Sequence, residues 1–422
     1  QAQRRLGGSG EEGAAAIPVD ARILAIQPDH LGGMLLTTPA LRLLKQAFPT
    51  GELTVLAGPW AADVPAHCPA VDQVRVCPFP GFERAARPAG FPAGFPARLS
   101  RGIAPYRLIL DTAAALAEER YHVAITFHTG FWWGTALSAL AGIPHRLGYS
   151  TPEAEPLLSR TLPLHRRPVG ATGRDQPRPH VAELGLALAR ETIALTGRPV
   201  PDGPAGFDGR MAYEPAPAER AEAWRLWRAN DLDEAPAVVA IHPSPGAPPK
   251  RWPPERFALL GDHLAGRYGA RIVITGGPGD VEEARAVAGA SAHRPVVLAG
   301  QTSFGTLAAL FERCRFAAGT DNGAMHLATA RGVPTLRLFG PIDPATWGGW
   351  PGYTGSADES PPALAAGSSL ACAPCHRLDL PAWENVAGGT GVAYPCMRDV
   401  TVESAIAAAE ALWSRTAGTP AA

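Results

Sequence analysis

Lysine is almost missing from this chain. It occurs only at Lys45 and Lys250, beside abundant arginine, and that compositional bias makes each lysine conspicuous. An excess of one charge is missing too: 38 basic side chains balance 39 acidic ones, for a formal net charge of −1. That balance excludes the broad positive field of a typical nucleic-acid binder. No apolar run approaches the ~18 residues that a membrane-spanning helix requires. Six cysteines in 422 residues are too few for a disulfide-stapled scaffold. Residues 1–20 lack the apolar middle of a secretory signal and read as a disordered leader. The expected setting is cytoplasmic, with no nucleic-acid partner.

What is present is material for a core. Hydrophobic residues make up 46% of the chain, and its length suits two domains at roughly 100–200 residues each. Short apolar runs alternate with segments of helical spacing. Strands are expected over 23–26, 53–57, 71–76 and 123–127, and helices over 35–48, 108–119, 132–141 and 180–196. The rhythm resumes after 218, with strands at 238–241, 271–275 and 295–298 and helices at 257–268, 281–288, 304–313 and 402–413. Such alternation predicts parallel sheets covered on both faces, with ligands at the carboxyl ends of the strands.

The segment 197–217, dense in Gly and Pro, reads as a linker. It would separate a first domain over 21–196 from a second over 218–400, with a terminal helix and tail over 401–422. Two arginine-bearing loops, 78–105 and 160–180, break the rhythm of the first domain. They fit either a plain surface loop or contact with an anionic glycan or membrane surface.

One stretch, Phe316 to Pro344, carries the clearest local signal. It reads as strand, tight turn at Asn322-Gly323, short helix, turn at Gly332-Val-Pro334, and strand again. A helix N-terminus held at the end of a parallel strand offers unpaired N–H groups and a dipole that favour an anion. Asp321 and His326 lie at its rim. Either they serve that site, or Asp321 caps the helix and His326 is an ordinary helix-face histidine.

In company, the motifs resemble a known family. Asp29-His-Leu-Gly32 with Leu36-Thr-Thr-Pro-Ala-Leu41, the Lys250-Arg-Trp-Pro region, and Gly276-Gly277 with Glu282-Glu283 are similar to the glycosyltransferase family 9 heptosyltransferases. So are Asp321-Asn-Gly-Ala-Met-His326, Gly340-Pro-Ile-Asp343, and Cys372-Ala-Pro-Cys375 with Cys396-Met397. The resemblance spans roughly residues 22 to 412. It implies an α/β GT-B fold, two Rossmann-like domains facing across a cleft, with the C-terminal helix crossing back to the first domain.

The resemblance also implies an inverting, metal-independent transfer of a sugar, typically heptose from ADP-heptose, to an acceptor hydroxyl on a lipopolysaccharide-type glycan. No cofactor beyond the nucleotide-sugar donor would be required. The second domain would bind the donor through Ser244, Lys250, Asp321, Asn322, Gly323 and His326, with Glu282 preferred over Glu283 for donor hydroxyls. The acceptor would be anionic or lipid-linked, with peripheral membrane contact.

One departure stands out. Where the family signature usually carries a proton-accepting aspartate after the loop glycine, this chain has Gly33. Asp29, on the same loop, is the expected replacement base, with His30 and His128 as further acceptor-side candidates. Two alternatives follow: a nucleotide-sugar-binding member with altered or lost catalysis, or a transferase acting on a small-molecule or protein acceptor. Cys372, Cys375 and Cys396 could hold a metal only with a fourth ligand such as His376; a disulfide or free thiols fit as well.

Overall fold

In the computed structural model, the described residues are 16–82, 97–164, 179–201, 206–350, 363–376, 378 and 394–416, with side chains from 105 onward in the 97–164 segment. They form two units. One holds the described residues up to 164 together with 182–209; the other holds 179–181 and everything from 210 onward. Half of the first arginine-bearing loop and most of the second lie outside the described residues, as do residues 1–15 of the expected leader. Within the remainder of that leader, Ile17 is already buried.

The first unit is a six-stranded parallel sheet: β1 (Arg22–Gln27), β2 (Glu52–Ala57), β3 (Gln73–Val76), β4 (Val123–Thr126), β5 (His145–Tyr149) and β6 (Arg160–Leu162). The order is β3-β2-β1-β4-β5-β6. The central β1 buries Ile23, Leu24, Ala25 and Ile26 on both faces, as a helix-covered parallel strand must. β5 and β6 were not foreseen as strands, and β6 runs through a segment read as loop. The 78–105 loop is also shorter than expected, because a helix already begins at Ala97 and carries Pro105 inside it.

The helix after β1 runs Leu31–Ala47, four residues earlier than its apolar spacing indicates. Gly32 and Gly33 therefore form its first turn, and Pro39 falls in its interior. A proline there leaves the carbonyl four residues back without its N–H donor. That carbonyl, Leu35 O, accepts instead from Thr38 Oγ1 at 2.7 Å.

The second unit is another all-parallel sheet: β7 (Val238–His242), β8 (Arg271–Ile274), β9 (Val296–Val297), β10 (Phe316–Thr320), β11 (Thr335–Phe339) and β12 (Ala363–Gly367). Its order is β12-β11-β10-β7-β8-β9. The sheet order turns between β10 and β7, and that is the point where ligands bind in open α/β sheets.

The terminal helix, Val402–Arg415, packs into the core of the second unit. Ala405, Ala409 and Leu412 form a helical stripe buried in that unit's core, and Trp413 stacks on Tyr268 at 4.2 Å. The expected linker is likewise tied down at both ends. Arg42 binds Asp208 at 2.5 Å in the first unit, while Tyr213 is buried against Phe304 in the second. Among the described residues, no helix is long and apolar enough to cross a membrane.

Trp252 anchors the second unit. It is fully buried, meets Phe257 edge-on at 4.7 Å, and donates its indole N–H to Val400 O at 2.8 Å. Replacing it with alanine should cost about 3–5 kcal/mol of stability through lost burial and a residual cavity. Denaturant unfolding measures this, and a loss below about 1 kcal/mol would show that the site collapses without penalty.

Candidate functional site

The Asp321–Ala330 segment is built as its sequence reads. Asn322 caps the Gly323–Ala330 helix: its Oδ1 accepts from Met325 N at 3.1 Å, and its Nδ2 donates to the Ser244 carbonyl at 3.0 Å. One side chain thus joins the loop after β7 to the turn after β10. The first N–H groups of the helix, those of Gly323 and Ala324, have no intrahelical acceptor by construction. They form the positive end of the helix dipole.

Lys250 reaches the same point from a short 3-10 turn, Pro248–Lys250, that follows β7. Its Nζ donates to Asp321 Oδ2 at 3.0 Å, with both side chains largely buried. On the other side, His326 Nε2 faces Asp321 Oδ1 at 3.7 Å. Burial alone would raise the Asp321 carboxyl, but the Lys250 charge and the His326 ring hold it well below the usual carboxylate range. Asp321 is therefore an organiser, tying Lys250 to the helix terminus, and His326 lies beneath the turn.

The acidic pair differs from expectation. Glu282 is exposed, whereas Glu283 is half-buried with its Oε1 3.5 Å from Arg251 Nε. Burial raises the Glu283 carboxyl, opposed by the Arg251 charge and by the nearby Ser244 hydroxyl. Ser244 Oγ, Glu283 Oε1 and Arg251 Nε are all buried without a hydrogen bond of ordinary geometry among the described residues. The three groups face one another, Arg251 and Ser244 against Glu283, in contacts longer or more bent than full hydrogen bonds, which a polar ligand would complete. The geometry therefore favours Glu283 over Glu282. The helical period carries the signal, since only one of two adjacent helix residues can face inward.

In the first unit, Asp29 and Gly33 fit one another. A Cβ added at Gly33 would lie 1.9 Å from Asp29 Oδ2 and 2.4 Å from its Cγ. The carboxylate thus fills the space that a side chain at position 33 would need. Its Oδ1 accepts from His30 N at 2.7 Å. Trp60 clamps the loop from outside, donating its indole N–H toward Pro28 O at 3.0 Å and Asp29 O at 3.2 Å. That clamp needs Gly58, where a Cβ would meet the Trp60 ring at 2.2 Å.

His30 tilts against Trp60 at 5.8 Å. His128 accepts from Gly130 N through Nδ1 at 3.2 Å, so in the neutral ring the proton sits on Nε2. Burial lowers the His128 pKa, and the Asp29 charge partly offsets that. Asp29 and His128 therefore share one electrostatic environment.

The late cysteines are all free thiols, with Cys372 and Cys375 exposed and Cys396 buried. Burial, and then proximity to Cys375 and Cys372, pushes the Cys396 thiol up to about 11. Among the described residues, no group of three His, Cys, Asp or Glu side chains is arranged to hold a metal ion.

Two further buried groups escaped the sequence reading. His242, at the end of β7, meets Thr275 Oγ1 at 3.0 Å, and burial takes it down to about 4 against the opposing pull of Asp280. His180, expected in the first domain, belongs to the second unit. It stacks on Trp350 at 4.9 Å and donates from Nε2 to Gly348 O at 3.3 Å.

Comparison with known proteins bears on this geometry. Residues 109–357, more than half of the chain, match the sequence model of a family described as glycosyltransferase family 9 (heptosyltransferase). Lipopolysaccharide heptosyltransferase 2 of Escherichia coli (strain K12) is 24% identical over 331 residues, covering 76% of this chain and 84% of that protein. Among solved structures, E. coli ADP-heptose LPS heptosyltransferase II superposes with a TM-score of 0.64 at 19% identity, covering 94% of this chain and 100% of that one. The E. coli heptosyltransferase WaaC with ADP gives a TM-score of 0.53 at 21% identity, covering 78% and 90%. At these identities the structural likeness carries the fold, which is of the GT-B type.

The buried histidines generate a pH prediction. Burial takes His180 down to about 3, and His242 and His326 to about 4. The unfolded chain protonates these rings near pH 6.5, so below that pH the unfolded state binds more protons and stability falls with pH. The slope should reach about 1.4 kcal/mol per pH unit for each ring still neutral in the fold. Denaturant unfolding at about pH 7 and about pH 5 checks it; equal midpoints at the two values would contradict the assignment.

Proposed function

The chain belongs to glycosyltransferase family 9, and we propose that it transfers a heptose from ADP-heptose to a hydroxyl of a lipopolysaccharide-type acceptor. The observation that carries this reading is the junction of Lys250, Asp321 and the Gly323–Ala330 helix terminus at the turning point of the second sheet. An ammonium fixed beside free helix N–H groups is suited to the diphosphate of a nucleotide sugar. Ser244 and Glu283, buried beside Arg251, suit the hydroxyls of the same donor. The likeness to heptosyltransferases, one of them solved with ADP, supports the choice of nucleotide and sugar.

In this reading the acceptor oxygen attacks the anomeric carbon as its proton passes to Asp29. The bond from that carbon to the diphosphate oxygen breaks, the anomeric configuration inverts, and ADP leaves with the bonding electrons. Lys250 and the helix terminus take up the growing negative charge, the role that a divalent metal fills elsewhere. Asp29 supplies the carboxylate that Gly33 lacks. That support favours a working transferase over a member that binds donor without transferring it.

Three outcomes follow. Asp29→Asn should lower kcat by ~10²–10⁴-fold while leaving ADP affinity, read by calorimetry, nearly unchanged. Unaltered turnover would remove Asp29 from the mechanism. Lys250→Met should instead weaken ADP binding by about tenfold or more, the usual scale for a buried charge-assisted hydrogen bond. Activity should also persist in excess chelator; its loss there, restored by added divalent ion, would rule out the metal-independent form of the proposal.

A further inference from the structure

β11 reads as an apolar strand, Thr-Leu-Arg-Leu-Phe, with one residue out of character. Alternate side chains of a strand face opposite ways. Leu336 and Leu338 enter the core shared with Trp252 and the terminal helix, so Arg337 points to the other face, under the Gly323–Ala330 helix. It is 1% exposed. An arginine there carries a large desolvation cost unless every donor is used.

Each guanidinium nitrogen has a partner: Nε donates to Thr335 Oγ1 at 3.4 Å, and the other contacts go to one helix. Nη2 donates to Met325 O at 2.8 Å and to Thr329 Oγ1 at 2.6 Å, while Nη1 lies 3.1 Å from His326 Nδ1. Arginine has no acceptor atom, so the imidazole must accept at Nδ1, and the neutral ring carries its proton on Nε2. That nitrogen is the one that faces Asp321 Oδ1. A continuous line of contacts thus runs from Arg337 through His326 and Asp321 to Lys250 Nζ.

The far side is closed as well. A Cβ at Gly349 would come 3.8 Å from Arg337 Nη2, so the 348–350 segment lies over the guanidinium, with His180 stacked on Trp350 beside it.

We propose that Arg337 is a positioning residue for the donor site: by fixing the His326 ring in its Nε2–H form it orients Asp321, and through Asp321 it sets Lys250 against the helix terminus. The charged and titratable groups facing His326 are Arg337 from β11, Asp321 from the end of β10, Lys250 from the loop after β7, and His180 from the segment at 179–181. Arg337 also opposes protonation of His326, so Asp321 stays paired with Lys250 as the pH falls. This inference rests on the donor reading only for its ligand-binding consequence; the imidazole tautomer is a property of the protein alone.

Two measurements on Arg337→Met and Arg337→Lys separate positioning from simple support of the fold. Nitrogen-15 NMR of labelled histidine should show wild-type His326 as the Nε2–H tautomer, still neutral at about pH 5. In Arg337→Met the ring should lose that fixed tautomer and titrate at least one pH unit higher. ADP-heptose affinity should then fall by about tenfold and gain a dependence on pH between about 5 and 7, where the wild type is flat. Arg337→Lys keeps the charge and should recover part of the affinity with the ring still neutral.

A wild-type Nδ1–H tautomer would overturn the proposal. So would Arg337→Met retaining both the tautomer and the affinity. If Arg337→Met does not fold, the wild-type tautomer and the Arg337→Lys titration decide. If ADP-heptose binds neither protein while the NMR results hold, the donor reading fails, and what stands is that Arg337 fixes the His326 tautomer.

Discussion

A single buried carboxylate holds the second unit's functional region together. Asp321 sits at the carboxyl end of β10 with Lys250 at 3.0 Å on one oxygen and His326 at 3.7 Å from the other. Removing one member of such a pair costs about 3–5 kcal/mol, because the remaining charge is left buried alone. Without Asp321, Lys250 would have no fixed position and the loop after β7 would lose its tie to the helix terminus. Asn322 repeats that tie by a neutral route, capping the helix and holding the Ser244 carbonyl at once. Trp252, two residues beyond Lys250, roots the same loop in the core.

The first unit meets a different constraint, one of space. A carboxylate belongs where Gly33 leaves a hollow, and Asp29 fills it from four residues upstream. The hollow exists because the helix begins at Leu31 and brings Gly33 into its first turn. Trp60 and Gly58 then fix the loop from outside. In the mechanism proposed above, that carboxylate is the one that position 33 does not supply.

Much of this was legible in the sequence, and the reasons for success and failure differ by residue. The β10–helix–β11 unit could be read because Asn322-Gly323 and Gly332-Val-Pro334 punctuate a short apolar pattern. The parallel sheets followed from the alternation of strand and helix. The start of the helix after β1 was misplaced because glycines are poor helix formers and conceal a first turn. The partner of the terminal helix in the second core was not legible, because an amphipathic stripe shows that a helix packs, not on what. Arg337 was invisible, since an arginine in an apolar strand has no signature until the three acceptors of the neighbouring helix are seen around it. Glu283 could have been preferred over Glu282 by tracing which of them shares a face with the buried Ala284 and Val287.

On the proposed reading, the second unit is a donor site for the diphosphate of an adenine nucleotide sugar. Calorimetric titration of the wild-type protein with ADP-heptose, and with UDP- and GDP-sugars as a panel, tests it most directly. On that reading ADP-heptose binds and the others bind at least about tenfold more weakly, a difference of about 1.4 kcal/mol. Failure of every nucleotide sugar to bind would contradict it.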